Sequence, residues 1–376
     1  MRERWEYKKI GDIATVVSGS TPQTSVEEFW GKGHYWVTPA ELDDKTVYVS
    51  KTERQITDAA LAKVKLQRLP KGTVLLSSRA PIGKVAICDV DMYCNQGFKN
   101  CICSDLVYNK YLFYFLKDKK EYLNSLGRGA TFKEISKGIV EKVVVPLPPK
   151  PTQLSIVSEL DKLNELIQIK KEQLKDYDAL AQSIFYEMFG DPVVNDKKWE
   201  VKQLKDVSTL LNGRAYKQQE LLDKGKYKVL RVGNFFTNST FYYSDLELDD
   251  DKYCEYGDLL FAWSASFGAF IWNGDKVIYH YHIWKVLFDK DCLDIQYYRY
   301  LLNTMTSFFM NDVHGIGMVH LTKSGMEQYV LPIPPLPLQQ SFAHKIEQID
   351  RQKAAVQRTI KDLETLLAAR MQYWFD

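Results

Sequence analysis

The feature that most constrains the fold of this chain is a long, uninterrupted amphipathic segment, residues 152–189. It contains no Gly or Pro, and its apolar residues recur at alternating steps of four and three, which is typical of a coiled-coil seam. At 1.5 Å per residue, such a helix is on the order of 55 Å long. A helix with a single seam requires a partner helix. The predicted seam comprises Ile156, Leu160, Leu163, Ile167, Lys170, Leu174, Tyr177, Ala181, Ile184 and Met188.

The partner is predicted at the C-terminus, because the seam returns 186 residues later. The segment before each helix repeats at the same offset, with Val143–Pro149 matching Tyr329–Pro335. Thr152 is expected to cap the first helix, and Gly190 to end it. The second seam comprises Phe342, Ile346, Ile349, Lys353, Val356, Ile360, Leu363, Leu367, Arg370 and Trp374. We expect Lys170 and Lys353, which interrupt the seam, to reach solvent or a carboxylate, or to set the register.

The globular parts of the chain are duplicated as well. Residues 5–19 match residues 199–213, an offset of 194, and the turn at Gly72 matches the turn at Gly257, an offset of 185. Framework residues agree between the copies while the intervening residues differ. This pattern predicts one scaffold that carries two different recognition surfaces, in four segments: 1–151, 152–190, 191–337 and 338–376.

The composition limits the class of protein. The chain has 376 residues, 45% hydrophobic and 26% charged, with a net charge of +2, which is typical of a globular protein of two or three domains. We expect a cytoplasmic protein with reduced cysteines, because no signal peptide or membrane-spanning stretch is visible. The small net charge means that any contact with nucleic acid depends on a localised patch.

The motifs of several enzyme classes are missing. We find no phosphate-binding loop, no dinucleotide fingerprint and no Asn/Asp-Pro-Pro-aromatic motif of amine methylation. His280, His282, His314 and His320 are interpreted as core or surface histidines rather than as metal ligands. We therefore expect no catalytic residues, no metal site and no cofactor bound by this chain.

Basic, polar and aromatic residues interleave in the loops between the framework positions. Arg can contact guanine with two hydrogen bonds, Asn and Gln can contact adenine, and Ser and Thr can hold phosphates. The candidate contact residues are Ser20, Thr21, Ser77, Ser78, Arg79, Lys84, Asn95, Gln96, Lys99 and Arg128 in the first copy, and Arg214, Tyr216, Lys217, Arg231, Asn234, Ser264, Ser266, His280, His282 and Lys285 in the second.

Five segments, in this order, resemble a known family. They are residues 19–22 (GSTP), 36–39 (WVTP), 77–83 (SSRAPIG), 95–98 (NQGF) and 145–149 (VPLPP). Together with the duplicated layout, they resemble the specificity (S) subunit of type I restriction–modification systems, and the resemblance covers the whole chain.

This resemblance implies an α+β fold with two tandem mixed α/β target recognition domains, each followed by a long helix. The helices would pair as an antiparallel coiled coil with pseudo-two-fold symmetry. Each domain would recognise one half of a split, asymmetric duplex DNA site. The implied partners are two methylation subunits, which use S-adenosylmethionine, and restriction subunits, which use ATP and Mg²⁺.

The chain departs from the family pattern in two places. The usual Glu-Gln opening of each long helix is Thr152-Gln153 in the first copy and Gln339-Gln340 in the second. The second copy has other residues where the first has SSRAPIG and NQGF, which leaves its contact residues open.

Two alternatives to a specificity subunit are kept. One is a coiled-coil interaction protein that binds protein or RNA through the duplicated domains, and the other is a stand-alone enzyme, which the missing methylation motif disfavours.

Overall fold

The described chain forms two compact units. The first unit comprises Met1–Lys171 with Arg358–Asp376, and the second unit comprises Glu172–Gln357. The unit boundaries fall inside the two long helices, so the predicted four-segment division remains a prediction. The computed structural model describes residues 5–79, 81–129, 133–237, 239–264, 266–311 and 321–376.

The first unit consists of short strands and short helices that precede a long helix. Its central strands are rich in Val, Leu, Ile and Cys, and β7 is buried along its whole length, as expected for strands covered on both faces. In chain order the elements are β1 (Glu6–Lys9), α1 (Ile10–Ile13), β2 (Ala14–Ser18), β3 (Trp30–Val37), β4 (Tyr48–Val49), β5 (Gln55–Ile56), α2 (Asp58–Lys63), β6 (Val74–Leu76), β7 (Val85–Cys88), β8 (Tyr93–Cys94), β9 (Lys99–Cys103), α3 (Asn109–Asp118), α4 (Lys120–Ser125), α5 (Lys137–Lys142), β10 (Val144–Leu147) and α6 (Lys150–Phe189).

These strands form three sheets. The largest has the order β2-β9-β6-β7-β4, a second has the order β5-β3-β8, and β1 pairs with β10. Strands β3 and β8 are parallel, with Trp36 opposite Tyr93. Helix α3 packs its buried face, Tyr111–Leu116, into the core of this unit.

The second unit repeats the same kinds of element. In chain order they are β11 (Val201–Gln203), α7 (Leu204–Val207), β12 (Ser208–Asn212), β13 (Tyr227–Leu230), α8 (Val232–Phe236), β14 (Tyr242–Ser244), β15 (Tyr253–Cys254), β16 (Leu259–Ser264), β17 (Ser266–Ile271), β18 (Val277–Tyr279), β19 (Ile283–Phe288), α9 (Ile295–Thr304), α10 (Thr306–Asn311), α11 (Lys323–Met326), β20 (Val330–Pro332) and α12 (Leu336–Phe375).

The sheet order of the second unit matches that of the first except at the edges, where β4 of the first unit and β15 of the second unit have no counterpart. Its sheets have the orders β12-β19-β16-β17 and β14-β13-β18-β15, and β11 pairs with β20. Strands β13 and β18 are parallel, as β3 and β8 are. The predicted duplication and the mixed α/β class are therefore confirmed.

A buried glutamine in each unit ties the start of the long helix to the globular part. Gln153 and Gln339 each use both amide atoms, donating two hydrogen bonds and accepting one. Leu338-Gln339 is thus the equivalent of Thr152-Gln153, which corrects the predicted pairing with Gln339-Gln340. The partners are Leu106 O (3.0 Å), Pro148 O (2.9 Å) and Tyr108 N (2.8 Å) in the first unit, and Cys292 O (2.9 Å), Pro334 O (2.7 Å) and Asp294 N (2.9 Å) in the second, each 186 positions later.

Both long helices begin two residues earlier than predicted. The amide of Thr152 donates to Pro149 O at 2.8 Å, so Thr152 lies within the first turn of α6 and its predicted capping role is wrong. Pro151 is tolerated there because the first turn needs no amide donor. Gly190 ends α6 as predicted, with a left-handed φ of 75°. Each helix has 40 residues and is about 60 Å long.

Within the first unit, part of α6 contacts part of α12. The guanidinium of Arg370 binds the carboxylate of Glu159 through two nitrogens, and Lys171 Nζ lies 2.7 Å from Glu364 Oε1. The later residue of α6 pairs with the earlier residue of α12, so the two segments run in opposite directions.

Within the second unit, the other parts of the same helices are in contact. Phe185 packs against Phe342, with ring centroids 5.7 Å apart, and Lys353 binds the carboxylate of Asp178. The expectation that Lys353 reaches a carboxylate is confirmed, while Lys170 is half-buried on α6. Among the residues that the structure describes, no helix is long and apolar enough to cross a membrane.

Candidate nucleic-acid interface

Three loops of the first unit lie side by side beyond the ends of β6 and β8. The amide of Ser78 donates to Gly97 O at 2.7 Å, and the amide of Ile135 donates to Ser78 O at 3.0 Å. The structure therefore brings the predicted residues of segments 77–79 and 95–99 together, and adds the segment 133–135 to them.

Three of the predicted contact residues in these loops, Ser77, Ser78 and Lys99, are buried. The Ser77 hydroxyl donates to Pro81 O and accepts from the amide of Lys84, both at 2.8 Å. The Ser78 hydroxyl accepts from Lys99 Nζ at 3.3 Å. Both serines are fully buried and their hydroxyls hold the loop in shape, so their predicted contact with DNA stays a prediction without an exposed hydroxyl to support it.

Glu134 joins the basic residues of this loop cluster. Its carboxylate accepts from Arg79 Nε at 2.9 Å and from Lys99 Nζ at 3.2 Å. Partial burial acts to raise the pKa of Glu134, but the hydrogen bonds from Lys99 and Arg79 outweigh it and the pKa is lowered. Sequence reasoning missed Glu134, because a lone glutamate carries no motif and its partners are distant in the chain.

Other predicted residues of the first unit differ in exposure. Gln96, Arg79 and Arg128 are exposed, and the Thr21 hydroxyl donates to the side-chain oxygen of Gln96. These are the polar side chains that remain at the surface of the cluster. The rest make local contacts: Ser20 Oγ donates to Lys65 O (3.3 Å), Lys84 Nζ donates to Pro39 O (3.0 Å), and Asn95 Oδ1 accepts from Gly97 N (2.9 Å).

In the second unit, Arg214 is held by a carboxylate. Its two terminal nitrogens lie 2.9 and 2.8 Å from the two oxygens of Glu220. The hydrogen bonds from Arg214 and from the Lys217 amide lower the pKa of Glu220 to about 2. The planar fork of Arg214 is thus occupied within the protein. The side chain of Lys217 is exposed, and the ring of Tyr216 is stacked on that of His280, with centroids 6.4 Å apart.

The Arg214–Glu220 pair makes the second unit sensitive to acid. Because folding lowers the pKa of Glu220, its carboxylate contributes to the free energy of unfolding at pH values above its ordinary pKa of 4.5. This contribution is lost as the pH falls towards about 2. We expect Glu220→Gln to lower the urea midpoint at pH 7, and the difference from the parent chain to shrink below pH 4.5. Glu187→Gln, which alters an exposed carboxylate of the same unit, is the control. Equal midpoints of Glu220→Gln and the parent at pH 7 would contradict this role.

A polar cavity of about 260 Å³ lies beside the start of α8. Burial, and then the proximity of His282 and Arg231, lower the pKa of His280 to about 4, so its imidazole is neutral at pH 7. We call this space the Arg231 cavity. It is lined by Arg231, Val232, Gly233, Asn234, Ser239, Thr240, Tyr242, His280 and His282.

The remaining predicted residues of the second unit lie away from this cavity's lining. Lys285 Nζ is 2.7 Å from Asp258 Oδ2, so its charge is paired within the protein. Ser264 is buried and Ser266 is half-buried, and their predicted contacts with DNA stay predictions. His314 and His320 lie outside the described residues. Within the described residues, no group of three side chains could hold a metal ion.

Comparison with known proteins identifies the family. A model of the type I restriction modification DNA specificity domain matches residues 2–176 and 196–365. The chain belongs to this family. It is 32% identical over 367 residues to the type I restriction enzyme MjaIX specificity subunit of Methanocaldococcus jannaschii, an alignment that covers 90% of this chain and 85% of that protein.

Two solved structures share the fold of this specificity subunit. One comes from work on complex assembly and conformational transition of a type I restriction–modification system, with a TM-score of 0.66, 17% identity, and coverage of 98% of this chain and 96% of the other. The other is the S subunit from M. genitalium, with a TM-score of 0.53, 14% identity, and coverage of 99% and 96%. At these identities the likeness concerns the fold alone.

Proposed function

We propose that this specificity subunit recognises a split, asymmetric duplex DNA site, with one half-site bound by each unit, and that it has no catalytic residues of its own. The observation that carries this proposal is the repeated sheet order with different residues at equivalent loops. The first unit presents Arg79 and Gln96 at its loop cluster, whereas the second unit presents the Arg231 cavity. One scaffold with two surface chemistries is suited to two different half-sites.

The long helices are proposed to set the distance between the half-sites. We propose that α6 and α12 pair as an antiparallel coiled coil with approximate two-fold symmetry. Half-sites on such a frame are about one turn of DNA, roughly 34 Å, apart. The opposite directions of the helix segments inside each unit support this arrangement. The base pairs between the half-sites would then have no contact with the protein.

The proposed partners are two methylation subunits and restriction subunits. The methylation subunits would use S-adenosylmethionine, and the restriction subunits ATP and Mg²⁺, while this chain would bind no cofactor. The duplication supports two copies of one partner, because equivalent surfaces occur twice in the chain. The names of the related proteins, which are specificity subunits of restriction enzymes, agree with this assignment.

Methylome mapping of a host that expresses this chain with its methylation subunit tests the proposal. We expect one split, asymmetric motif, methylated on both strands. Exchange of residues 20–145 for those of a related subunit is expected to change one half of the motif and leave the other half unchanged.

Three results would contradict the proposal. A change in both halves after the exchange would exclude independent recognition by the two units. No motif, with complex formation confirmed, would favour an interaction protein that binds other ligands. Methyl transfer by the purified chain alone would indicate an enzyme instead.

A further inference from the structure

The same turn follows the first strand of the parallel pair in each unit, β3 in the first unit and β13 in the second. In the first unit, β3 ends just before Thr38, whose amide donates to Glu41 Oε2 at 2.7 Å. In the second unit, β13 ends just before Arg231, whose amide donates to Asn234 Oδ1 at 2.8 Å. Both contacts span three residues after an equivalent strand. Thr38 and Arg231 therefore occupy the same position in the two copies.

The side chains at this position differ in what they can offer a ligand. The Thr38 hydroxyl donates to the same Glu41 carboxylate at 3.0 Å and is used within the turn. Arg231 is exposed, and its guanidinium lies 5.2 Å from the ring centroid of Tyr242. In the described part of the chain, no carboxylate forms an ion pair with Arg231. The second unit thus presents an open guanidinium where the first unit presents none.

Two other predicted cations of the second unit are already engaged. Both terminal nitrogens of Arg214 bind Glu220, and Lys285 pairs with Asp258. A lysine is in any case a point charge that lacks the planar fork of arginine. Between the two predicted arginines of this unit, Arg231 is therefore the one whose fork is available for two parallel hydrogen bonds.

The surroundings hold Arg231 in place at the mouth of a small cavity. Asn234 accepts from the Arg231 amide and donates from Nδ2 to Ser239 O at 2.8 Å, so it fixes both sides of the loop and is a positioning residue. The predicted contact of Asn234 with DNA stays a prediction. At about 260 Å³ the Arg231 cavity is smaller than the roughly 300–1,000 Å³ of sites that enclose a small molecule, so it suits one edge of a larger ligand.

The guanidinium of Arg231 repels metal cations and offers only hydrogen-bond donors, which match the acceptors of a base edge. His280 is neutral at pH 7 and adds no positive charge beside Arg231. Guanine presents two acceptors, O6 and N7, in the major groove, and an arginine fork presents only donors. Adenine would place its N6 amino group against those donors. The chemistry therefore discriminates between the two purines.

We propose that Arg231 is a specificity-determining residue that recognises a guanine in the half-site of the second unit, through hydrogen bonds to O6 and N7. This inference rests on the proposed function. Tyr242 supports the guanidinium from one side, and Asn234 sets the position of its backbone. Because Thr38 stands at the equivalent position, the first unit makes no such contact there.

Methylome mapping with Arg231→Lys and Arg231→Ala tests the inference. In the complex with the methylation subunit, we expect the methylated motif to accept other bases at one guanine position of one half-site. The other half-site is expected to stay unchanged. Lys224→Ala, which removes an exposed cation of the same unit, is the matched control and is expected to leave the motif unchanged. Unchanged thermal melting of the variants establishes that they fold.

Binding of the purified complex to modified duplexes provides a second test. Replacement of that guanine by 7-deazaguanine removes the N7 acceptor, and we expect it to weaken binding by the parent complex about 5- to 150-fold, the range for a good base contact. Arg231→Ala is expected to bind both duplexes equally.

The outcomes separate this inference from the function on which it rests. If the parent complex has a split motif and both Arg231→Ala and Arg231→Lys leave it intact, Arg231 has no role in specificity, while the proposed function stands. Weaker binding by Arg231→Ala to all duplexes, restored by Arg231→Lys, would indicate a phosphate contact and overturn guanine recognition. Absence of any motif for the parent complex would count against the proposed function itself.

Discussion

Gly19→Ala is expected to destabilise the first unit by more than about 3 kcal/mol, beyond the usual range for overpacking. A Cβ at Gly19 would lie less than 3.0 Å from the carbonyl oxygens of Asn95 and Cys94. These are backbone atoms, which cannot rotate away as a flexible side chain could. Gly213, the equivalent residue of the second unit, meets the carbonyl oxygens of Tyr279 and His280 in the same way.

The reason for glycine at these positions is close packing of two backbones. The amide of Ser20 donates to Cys94 O at 3.0 Å, so the segment after β2 runs directly against the segment after β8. Both segments carry predicted contact residues. A methyl group at position 19 would separate them and displace Thr21 from Gln96.

Gly138→Ala is the matched control in the same unit. A Cβ at Gly138 would meet no atom within 4 Å, and the residue lies in α5. Because alanine favours a helix over glycine by about 1 kcal/mol, this change is expected to be neutral or stabilising. Urea unfolding followed by circular dichroism measures both variants. Similar midpoints for Gly19→Ala and Gly138→Ala would show that the backbone can relax at position 19.

Phe185→Ala is expected to destabilise the second unit by about 3–5 kcal/mol, the usual cost of truncating a buried phenylalanine. Phe185 is fully buried, and its ring packs against Phe189, Tyr297 and Phe342 at centroid separations of 5.3, 5.9 and 5.7 Å. This aromatic cluster joins α6, α9 and α12 within the unit. Its loss would loosen the attachment of the globular part to the long helices.

Leu180→Ala is the control for this prediction, because Leu180 lies on the same helix and is 47% exposed. We expect it to change the free energy of unfolding by less than about 1 kcal/mol. Phe185→Leu should restore part of the stability by filling part of the cavity. If the unfolding midpoints of Phe185→Ala and Leu180→Ala agree within error, the cluster contributes no stability.

The duplication and the two long helices could be predicted from the sequence because both signals are periodic along the chain. The seam predicted for α6 is buried or half-buried throughout, and every hydrogen bond of Gln153 recurs at Gln339. The predicted seam missed Phe185, because that residue contacts Tyr297 of α9 as well as Phe342 of the second seam. Periodicity indicates which face of a helix is apolar, and it does not indicate what packs beside that face.

The contact residues were predicted less well, because their environment depends on residues far apart in the chain. Ser77 and Ser78 resemble exposed loop residues in the sequence, yet strand pairing with Phe98 and contacts with Lys99 bury them. Arg214 is of the residue type that most often contacts guanine, yet both of its terminal nitrogens bind the carboxylate of Glu220.

The sequence by itself determined the family, the two-copy layout and the positions of the long helices, because these follow from patterns among neighbouring residues and from a similar offset, 185 to 194 residues, between matching segments. Only the tertiary structure decided which cations are paired and which remain open. Arg79 meets Glu134 across 55 positions of sequence, whereas Arg231 meets no described carboxylate. Ion pairing depends on distances of a few ångströms, and those distances are set by how the sheets and loops pack.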